Sequence, residues 1–223
     1  GKTFKVFGTA QDHKKVGEGD IGPNTGGMGS YSPSRLENKI LEKKILAKII
    51  KPTLKALKDK NNRFKGFLYA GLMIVKNEPY LIEYNVRMGD PECQTILPRL
   101  KTDFFEIINS CINNNLEKID IKWSDRKSLC IVLCSKGYPG NYKNLNHIKN
   151  LKKLLTKKNE FIFHAGTKIK STDIISNGGR VLNFTALSEN FKLSRDRAIR
   201  LIKKLNWKDG FFRKDIGFRV IDK

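Results

Sequence analysis

Gly66-Phe-Leu-Tyr-Ala-Gly-Leu-Met-Ile-Val75 is followed by the polar turn Lys76-Asn-Glu-Pro79 and by Tyr80-Leu-Ile-Glu-Tyr-Asn85; the chain continues Val86-Arg-Met-Gly-Asp-Pro-Glu92. Aromatic and aliphatic runs on either side of a short polar turn predict an antiparallel hairpin. Glu83 and Asn85 lie two apart on its second strand, so their side chains project to one face about 6.6 Å apart at the Cβ level. A carboxylate and an amide oxygen at that spacing can reach one hard cation, and magnesium is typically held by one or two protein oxygens plus phosphate oxygens. Arg87 stands two residues beyond the pair, with Asp90 and Glu92 in the tight turn that follows. A guanidinium beside such an ion suits charge stabilisation on a transferring phosphoryl group. The plain alternative is a polar pair on a solvated hairpin face.

Working outward from the hairpin, Leu41, Ile45, Ile49 and Leu46, Ile50, Leu54, Leu57 recur at three and four, predicting a helix over 37–57 that Pro52 should kink or split. Helices are predicted at 92–99 and 103–113. The pattern loosens over 118–127, which places a domain boundary at 122/123. Beyond it the reading is a strand at 128–134, a Gly137-Tyr-Pro-Gly140 turn, a short lysine-rich helix at 147–155 and strands at 160–165 and near 180–187. A helix at 194–205 and a last strand near 217–221 complete the chain. Strands and helices in this mixture indicate an α+β fold with domains 1–122 and 123–223.

The 223 residues, 39% hydrophobic, can bury one large core or two modest ones, which excludes collagen, coiled coil and wholesale disorder. The longest apolar runs fall short of the roughly 18 residues of a membrane span. The opening Gly-Lys-Thr-Phe-Lys carries no legible targeting peptide, and a cytoplasmic location is expected. Lysine and arginine number 44 against 22 acids, a net charge of +22. The lysines are spread over the whole chain with Asn and Ile, the composition an A/T-rich coding bias produces, so nucleic acid is not expected as a partner. Cys93, Cys111, Cys130 and Cys134 lack zinc-type spacing and read as reduced core thiols.

Two further constellations could carry chemistry. Gly22-Pro-Asn-Thr-Gly-Gly-Met-Gly29 crowds glycines whose successive N–H groups could form an anion nest, with Asn24 and Thr25 adding donors around Gly26 and Gly27. It lacks the Lys-Ser/Thr ending of a Walker A loop. Just upstream, Asp12, His13 and Lys14 set an acid, an imidazole and an ammonium in a row. Farther on, Asn177-Gly-Gly-Arg-Val181 reads either as a type I′ hairpin turn or as a loop presenting Arg180 to a phosphate, with His164-Ala-Gly-Thr-Lys168 nearby in function.

Together Gln11-Asp-His-Lys14, the 22–29 loop with Tyr31-Ser-Pro33, Gly66 to Met73, Ile82 to Glu92, Gly137-Tyr-Pro-Gly140, Phe163 to Lys168, Asn177 to Leu182 and Arg213-Lys-Asp-Ile-Gly217 resemble the phosphoribosylamine-glycine ligase family of ATP-grasp enzymes, in family order and over nearly the whole chain. The resemblance implies the C-terminal lobe of an ATP-grasp fold, an antiparallel sheet with helices, followed by a small α+β domain. It implies ATP-dependent joining of glycine to 5-phosphoribosylamine in purine biosynthesis, through a glycyl phosphate. Glu83 and Asn85 would be the ligands of magnesium or manganese, and Arg87 and Asp90 the catalytic groups. Asp12, His13, Lys14, Asn24, Thr25, Gly26, Gly27 and Arg180 would line the ATP and substrate side. Met88 and Cys93 stand where the family has Phe and Thr. The family's N-terminal half lies before this segment, so that half is the implied partner, in cis or in trans, and the fragment alone is expected to be inactive. The rival reading is a basic RNA-binding module derived from the ligase half.

Overall fold

The computed structural model describes residues 3–221. The chain forms two compact units that interleave along the sequence. The first comprises the segment ending at Thr9, Ser34–Gly89 and Leu100–Ser124; the second comprises Ala10–Pro33, Asp90–Arg99 and the chain from Asp125 onward. A single cut at 122/123 therefore does not separate them.

In chain order the elements begin with the short strands β1 (Gln11–Asp12), β2 (Lys15–Gly17), β3 (Ile21–Asn24) and β4 (Gly29–Ser32). Helices α1 (Lys39–Ile45) and α2 (Lys51–Asp59) flank a π-helical turn at Leu46–Ile50, and β5 (Tyr69–Val75) and β6 (Glu78–Asn85) follow. Next come α3 (Cys93–Ile96), α4 (Phe104–Ile112), β7 (Lys127–Ser135), β8 (Glu160–His164), β9 (Thr167–Lys170), β10 (Asp173–Ser176) and β11 (Arg180–Ser188). The last are α5 (Phe191–Leu205), β12 (Gly210–Phe211) and α6 (Phe218–Ile221).

In the first unit, Asn38 caps α1 by accepting from the Leu41 N–H at 2.8 Å. Pro52 does divide the helical stretch. Its ring excludes the normal bond to the carbonyl four residues back, and the turn before it widens so that the Lys51 N–H reaches the Leu46 carbonyl. Hairpin β5–β6 turns on Lys76 and Asn77, both at positive φ (50° and 62°), the demand of a tight two-residue turn. Pro79 lies inside β6, where a two-stranded sheet leaves its missing N–H harmless. One face of the hairpin meets the helices: the Tyr84 hydroxyl bonds to Thr53 Oγ1 at 2.8 Å, and Lys44 and Lys48 pair with Glu78. Phe7, Phe67, Phe104 and Trp123 form an aromatic cluster, with Phe67 stacked on Phe104 at 5.8 Å.

The second unit is built on an antiparallel six-stranded sheet ordered β1-β4-β7-β11-β8, with β12 also on β7. β7 and β11 are buried almost end to end. Helix α5 covers one face with Ala198, Leu201, Ile202 and Leu205, against Leu129, Ile131, Leu133, Leu182 and Phe184. The other face is mixed: Met28 packs on Cys134, and Ser30 Oγ bonds the Pro91 carbonyl at 2.9 Å and Thr95 Oγ1 at 3.2 Å, which seats α3.

Three elements differ from the sequence reading. Residues 147–155 form only one 3₁₀ turn, Leu151–Lys153. The segment's start instead bridges to β10, His147 opposite Ile175 and the Ile148 N–H on the Ile174 carbonyl, continuing the bond of the preceding Leu145 N–H to the Ser176 carbonyl. Residues 218–221 are helical rather than extended. Asn177-Gly-Gly is not a type I′ hairpin turn: none of the three has positive φ, β10 pairs with β9, and β11 pairs with β7 and β8. The glycines there serve close approach, since a Cβ on Gly179 would lie 2.2 Å from the Tyr138 ring. Among the cysteines, Cys130 and Cys134 are buried, their thiols pushed up to about 12 chiefly by that burial. Cys93 and Cys111 are only partly buried, so the core-thiol reading holds for two of the four.

Candidate functional site

The first unit carries Glu83, Asn85 and Arg87. The register of β5–β6 slips between Gly71 and Leu72, which leaves Ile82 without a partner of its own and places Glu83 opposite Gly71 and Asn85 opposite Tyr69. Tyr84 then points to the helices, while Glu83 and Asn85 share the other face. Gly71 makes room for the acid: a Cβ there would sit 3.0 Å from Glu83 Cγ and 3.6 Å from its Oε1. Among the described residues neither Glu83 nor Asn85 engages its side chain in a hydrogen bond or ion pair. These are hard oxygen donors on an accessible face, a set that fits magnesium or manganese. No group of three or more His, Cys, Asp or Glu suited to a metal exists among the described residues. Arg87 is exposed and donates from Nη1 to the Met88 carbonyl at 2.9 Å.

The second unit carries all the other anticipated residues, and several are turned inward. The N–H groups of the glycine loop are taken by partners within the unit. Thr25 N–H donates to the Lys14 carbonyl at 2.8 Å and Met28 N–H to the His13 carbonyl at 2.9 Å. Gly26 N–H donates to Tyr138 Oη at 3.0 Å and Gly27 N–H to Thr25 Oγ1 at 2.9 Å. The loop is therefore not the anion nest that its glycines suggest: these donors hold its own shape. Thr25 Oγ1 also donates to the Lys14 carbonyl at 2.8 Å. Asn24, by contrast, is exposed on β3.

Arg180 and Asp90 form an ion pair at 2.8 Å between Nη2 and Oδ2. Arg180 Nη1 also donates to the carbonyls of Gly26 (2.8 Å) and Asp90 (2.9 Å). The second Asp90 oxygen, Oδ1, accepts from Gln94 Nε2 at 2.8 Å. Lys14 pairs with Asp12 at 2.9 Å, the lysine side chain half exposed and the acid mostly covered.

His13 is only 2% exposed. Its Nε2 accepts the Gly217 N–H at 3.1 Å, so the ring proton sits on Nδ1, 3.6 Å from Asp20 Oδ1. Burial pushes its imidazole below the usual range, helped by the Arg213 charge and opposed by Asp20 and Asp215. Its neighbours form an ion network to which the sequence assigns no role, although Arg213-Lys-Asp-Ile-Gly217 stands in the motif series. Arg213, 1% exposed, bonds Asp20 Oδ1 at 2.9 Å, Asp215 Oδ1 at 2.9 Å and the Lys15 carbonyl at 2.9 Å. Burial works to raise the Asp20 and Asp215 carboxyls, but the guanidinium bonds outweigh it and hold both below the ordinary range. Tyr138 was equally unmarked as a site residue; the only available signal was its place in the Gly137-Tyr-Pro-Gly140 motif. His164 is exposed and bonds Thr167 Oγ1 at 2.8 Å.

Residues 1–93 match the family model "Phosphoribosylglycinamide synthetase, ATP-grasp (A) domain", and residues 128–219 match "Phosphoribosylglycinamide synthetase, C domain". The chain belongs to the phosphoribosylamine-glycine ligase family. Within this family it is 41% identical to the phosphoribosylamine-glycine ligase of Brucella melitensis over its full length, covering 52% of that protein. It is 44% identical to that of Agrobacterium fabrum, over 99% of this chain and 52% of the relative. The crystal structure of phosphoribosylamine-glycine ligase from Thermotoga maritima superposes with a TM-score of 0.81 at 31% identity, over 93% of this chain and 51% of that one. The fold is thus the mixed helix and antiparallel-sheet architecture of the ATP-grasp ligases. The chain spans about half the length of the curated relatives it matches. Among the described residues no helix is long and apolar enough to cross a membrane.

Proposed function

We propose that this chain supplies the metal-bearing half of a phosphoribosylamine-glycine ligase. In that reaction glycine's carboxylate attacks the γ-phosphorus of ATP, ADP leaves, and the amine of 5-phosphoribosylamine attacks the resulting glycyl phosphate. The C–N bond forms as phosphate departs and the amine gives up a proton. The observation that carries the reading is the Glu83–Asn85 oxygen pair, ungripped by protein donors and given room by Gly71. Glu83 and Asn85 would hold magnesium or manganese, which when bound neutralises charge on the ATP phosphates. Arg87, exposed on the same run of chain, would meet the charge that develops on the acyl phosphate. Of the substrate-side residues, Lys14 and Asn24 have the most accessible side chains and would meet the substrate, while Asp12, His13, Thr25, Gly26 and Gly27 would hold that segment in shape.

The N-terminal half of the enzyme, supplied in cis or in trans, is the partner this reading requires. Exposed apolar side chains on the hairpin, Met73 (54%), Tyr80 (56%) and Ile82 (65%), are consistent with a covering lobe. The test is complementation: the chain is mixed with the missing half, and glycine-dependent ADP release is followed with phosphoribosylamine present. Glu83→Gln is expected to lower the rate by orders of magnitude without changing the fold, and Arg87→Lys to lower it less, since an ammonium lacks the planar fork. An unchanged rate in Glu83→Gln would remove the pair from the mechanism. The RNA-binding alternative predicts tight association with a structured RNA that survives moderate salt, whereas attraction resting only on the net charge of +22 falls steeply with ionic strength.

A further inference from the structure

We propose that Arg180, with Asp90 and Tyr138, is a positioning residue that fixes the glycine loop, and that it is not itself a phosphate ligand; the kinetic part of its test rests on the ligase reading above. The guanidinium already makes three hydrogen bonds from its two terminal nitrogens, to the Gly26 carbonyl, the Asp90 carbonyl and Asp90 Oδ2. Its charge is matched by a carboxylate whose other oxygen is held by Gln94. A cation so paired offers a phosphate little net charge, and moving to meet one would strand the Asp90 carboxylate.

The geometry around the loop is reciprocal. The Gly26 N–H is held by Tyr138 Oη and the Gly26 carbonyl by Arg180, so side chains from two distant segments grip both polar groups of one residue. The fit leaves no slack: a Cβ on Gly26 would lie 2.9 Å from Arg180 Cζ, and one on Gly27 would lie 2.6 Å from Pro91 Cδ. Arg180 thus ties the glycine loop to the Asp90 turn, and Gly179 leaves room for the Tyr138 ring whose hydroxyl holds Gly26. The loop's shape is set by protein contacts before any ligand arrives, the preorganisation that binding and catalysis both reward.

Hydrogen exchange on the intact, ligand-free chain tests this without any assumption about activity. Arg180→Gln should speed exchange of the 25–28 amides by about tenfold or more, and Arg180→Lys should rescue little of that, since three charge-assisted bonds in a planar fork are lost. Tyr138→Phe, which removes only a hydroxyl, should speed Gly26 selectively and covers the case in which an Arg180 variant fails to fold. In the complemented enzyme, Arg180→Gln and Asp90→Asn should lower kcat by similar factors, and the double variant should be no worse than either. The proposal is overturned if exchange at 25–28 is unchanged while Arg180→Gln alone raises the KM for phosphoribosylamine, which is the signature of a phosphate contact. Should complementation give no activity, the ligase reading fails and the exchange result still decides the positioning role.

Discussion

Gly19 and Gly27 both sit at positive φ, 72° and 117°, yet their surroundings differ sharply. A Cβ at Gly19 meets nothing within 4 Å, whereas one at Gly27 lands 2.6 Å from Pro91 Cδ. Gly19→Ala should therefore cost only the backbone penalty, about 1 kcal/mol. Gly27→Ala should cost that plus about 1–3 kcal/mol of overpacking against a ring that cannot swing away. Urea unfolding of the two variants measures the difference directly, and equal midpoints would refute the packing argument. Thiol chemistry offers a second comparison. Cys130 and Cys134 are sealed in the sheet with thiols near 12, so an alkylating reagent should label them only on unfolding. Partly buried Cys93 and Cys111 should label first, Cys93 slowly because burial and the nearby acids Asp90 and Glu92 also raise its thiol. The crowding of glycines in one loop was legible from the sequence. Which of the loop's N–H groups already had partners was not, because Thr25 and Met28 donate to the Lys14 and His13 carbonyls, Gly27 to Thr25, and Gly26 to Tyr138, more than a hundred residues away.

At the level of elements, sustained apolar patterning carried the reading and competition for backbone groups defeated it. Strands β5, β6, β7 and β11 were visible as aliphatic and aromatic runs, and helix α5 as apolar residues recurring at three and four. Residues 147–155 have helix-forming lysines, yet the segment's first residues, His147 and Ile148, are claimed by β10, leaving a single turn after them. The 217–221 segment failed as a strand because Gly217 at φ 83° and the Phe218 N–H on the Asp215 carbonyl start a helical turn. Hairpin β5–β6 was read correctly, but not its register slip at Gly71 and Leu72, since a bulge leaves little trace in composition. Helix α5 allows a quantitative check. Leu201 is fully buried in the face that covers the sheet, so Leu201→Ala should lower stability by about 2–5 kcal/mol. Lys203→Ala, on the exposed face of the same helix, should change it by less than about 0.5 kcal/mol. Calorimetric melting of the two variants tests whether tertiary packing rather than helix propensity holds α5 in place.

For the molecule as a whole, the motif series named the family, whereas the interleaving of the two units was hidden. It depends on β4 pairing with β7 across about a hundred residues, and local pattern does not encode such pairing. The same long reach governs response to acid. His13, near one end of the second unit, accepts from Gly217 near the other, and it is surrounded by Asp20, Arg213, Asp215 and the rings of Tyr31 and Phe218. Its folded-state pKa lies below the ordinary 6.5, so the unfolded chain takes up a proton that the folded chain refuses. That contribution is present in full above pH 6.5 and is lost as pH falls from there toward the folded value. Asp20 and Asp215 are also held below their ordinary 3.8, so their contribution begins to fail only as pH drops through that lower range. Urea midpoints measured from pH 8 to pH 3 should therefore decline in two stages. His13→Gln should flatten the upper stage and leave the lower one, because glutamine does not titrate while Arg213 still pairs with both acids. If the variant and the parent chain lose stability with the same slope between pH 6.5 and pH 5, the imidazole is not what joins the ends of this unit in acid.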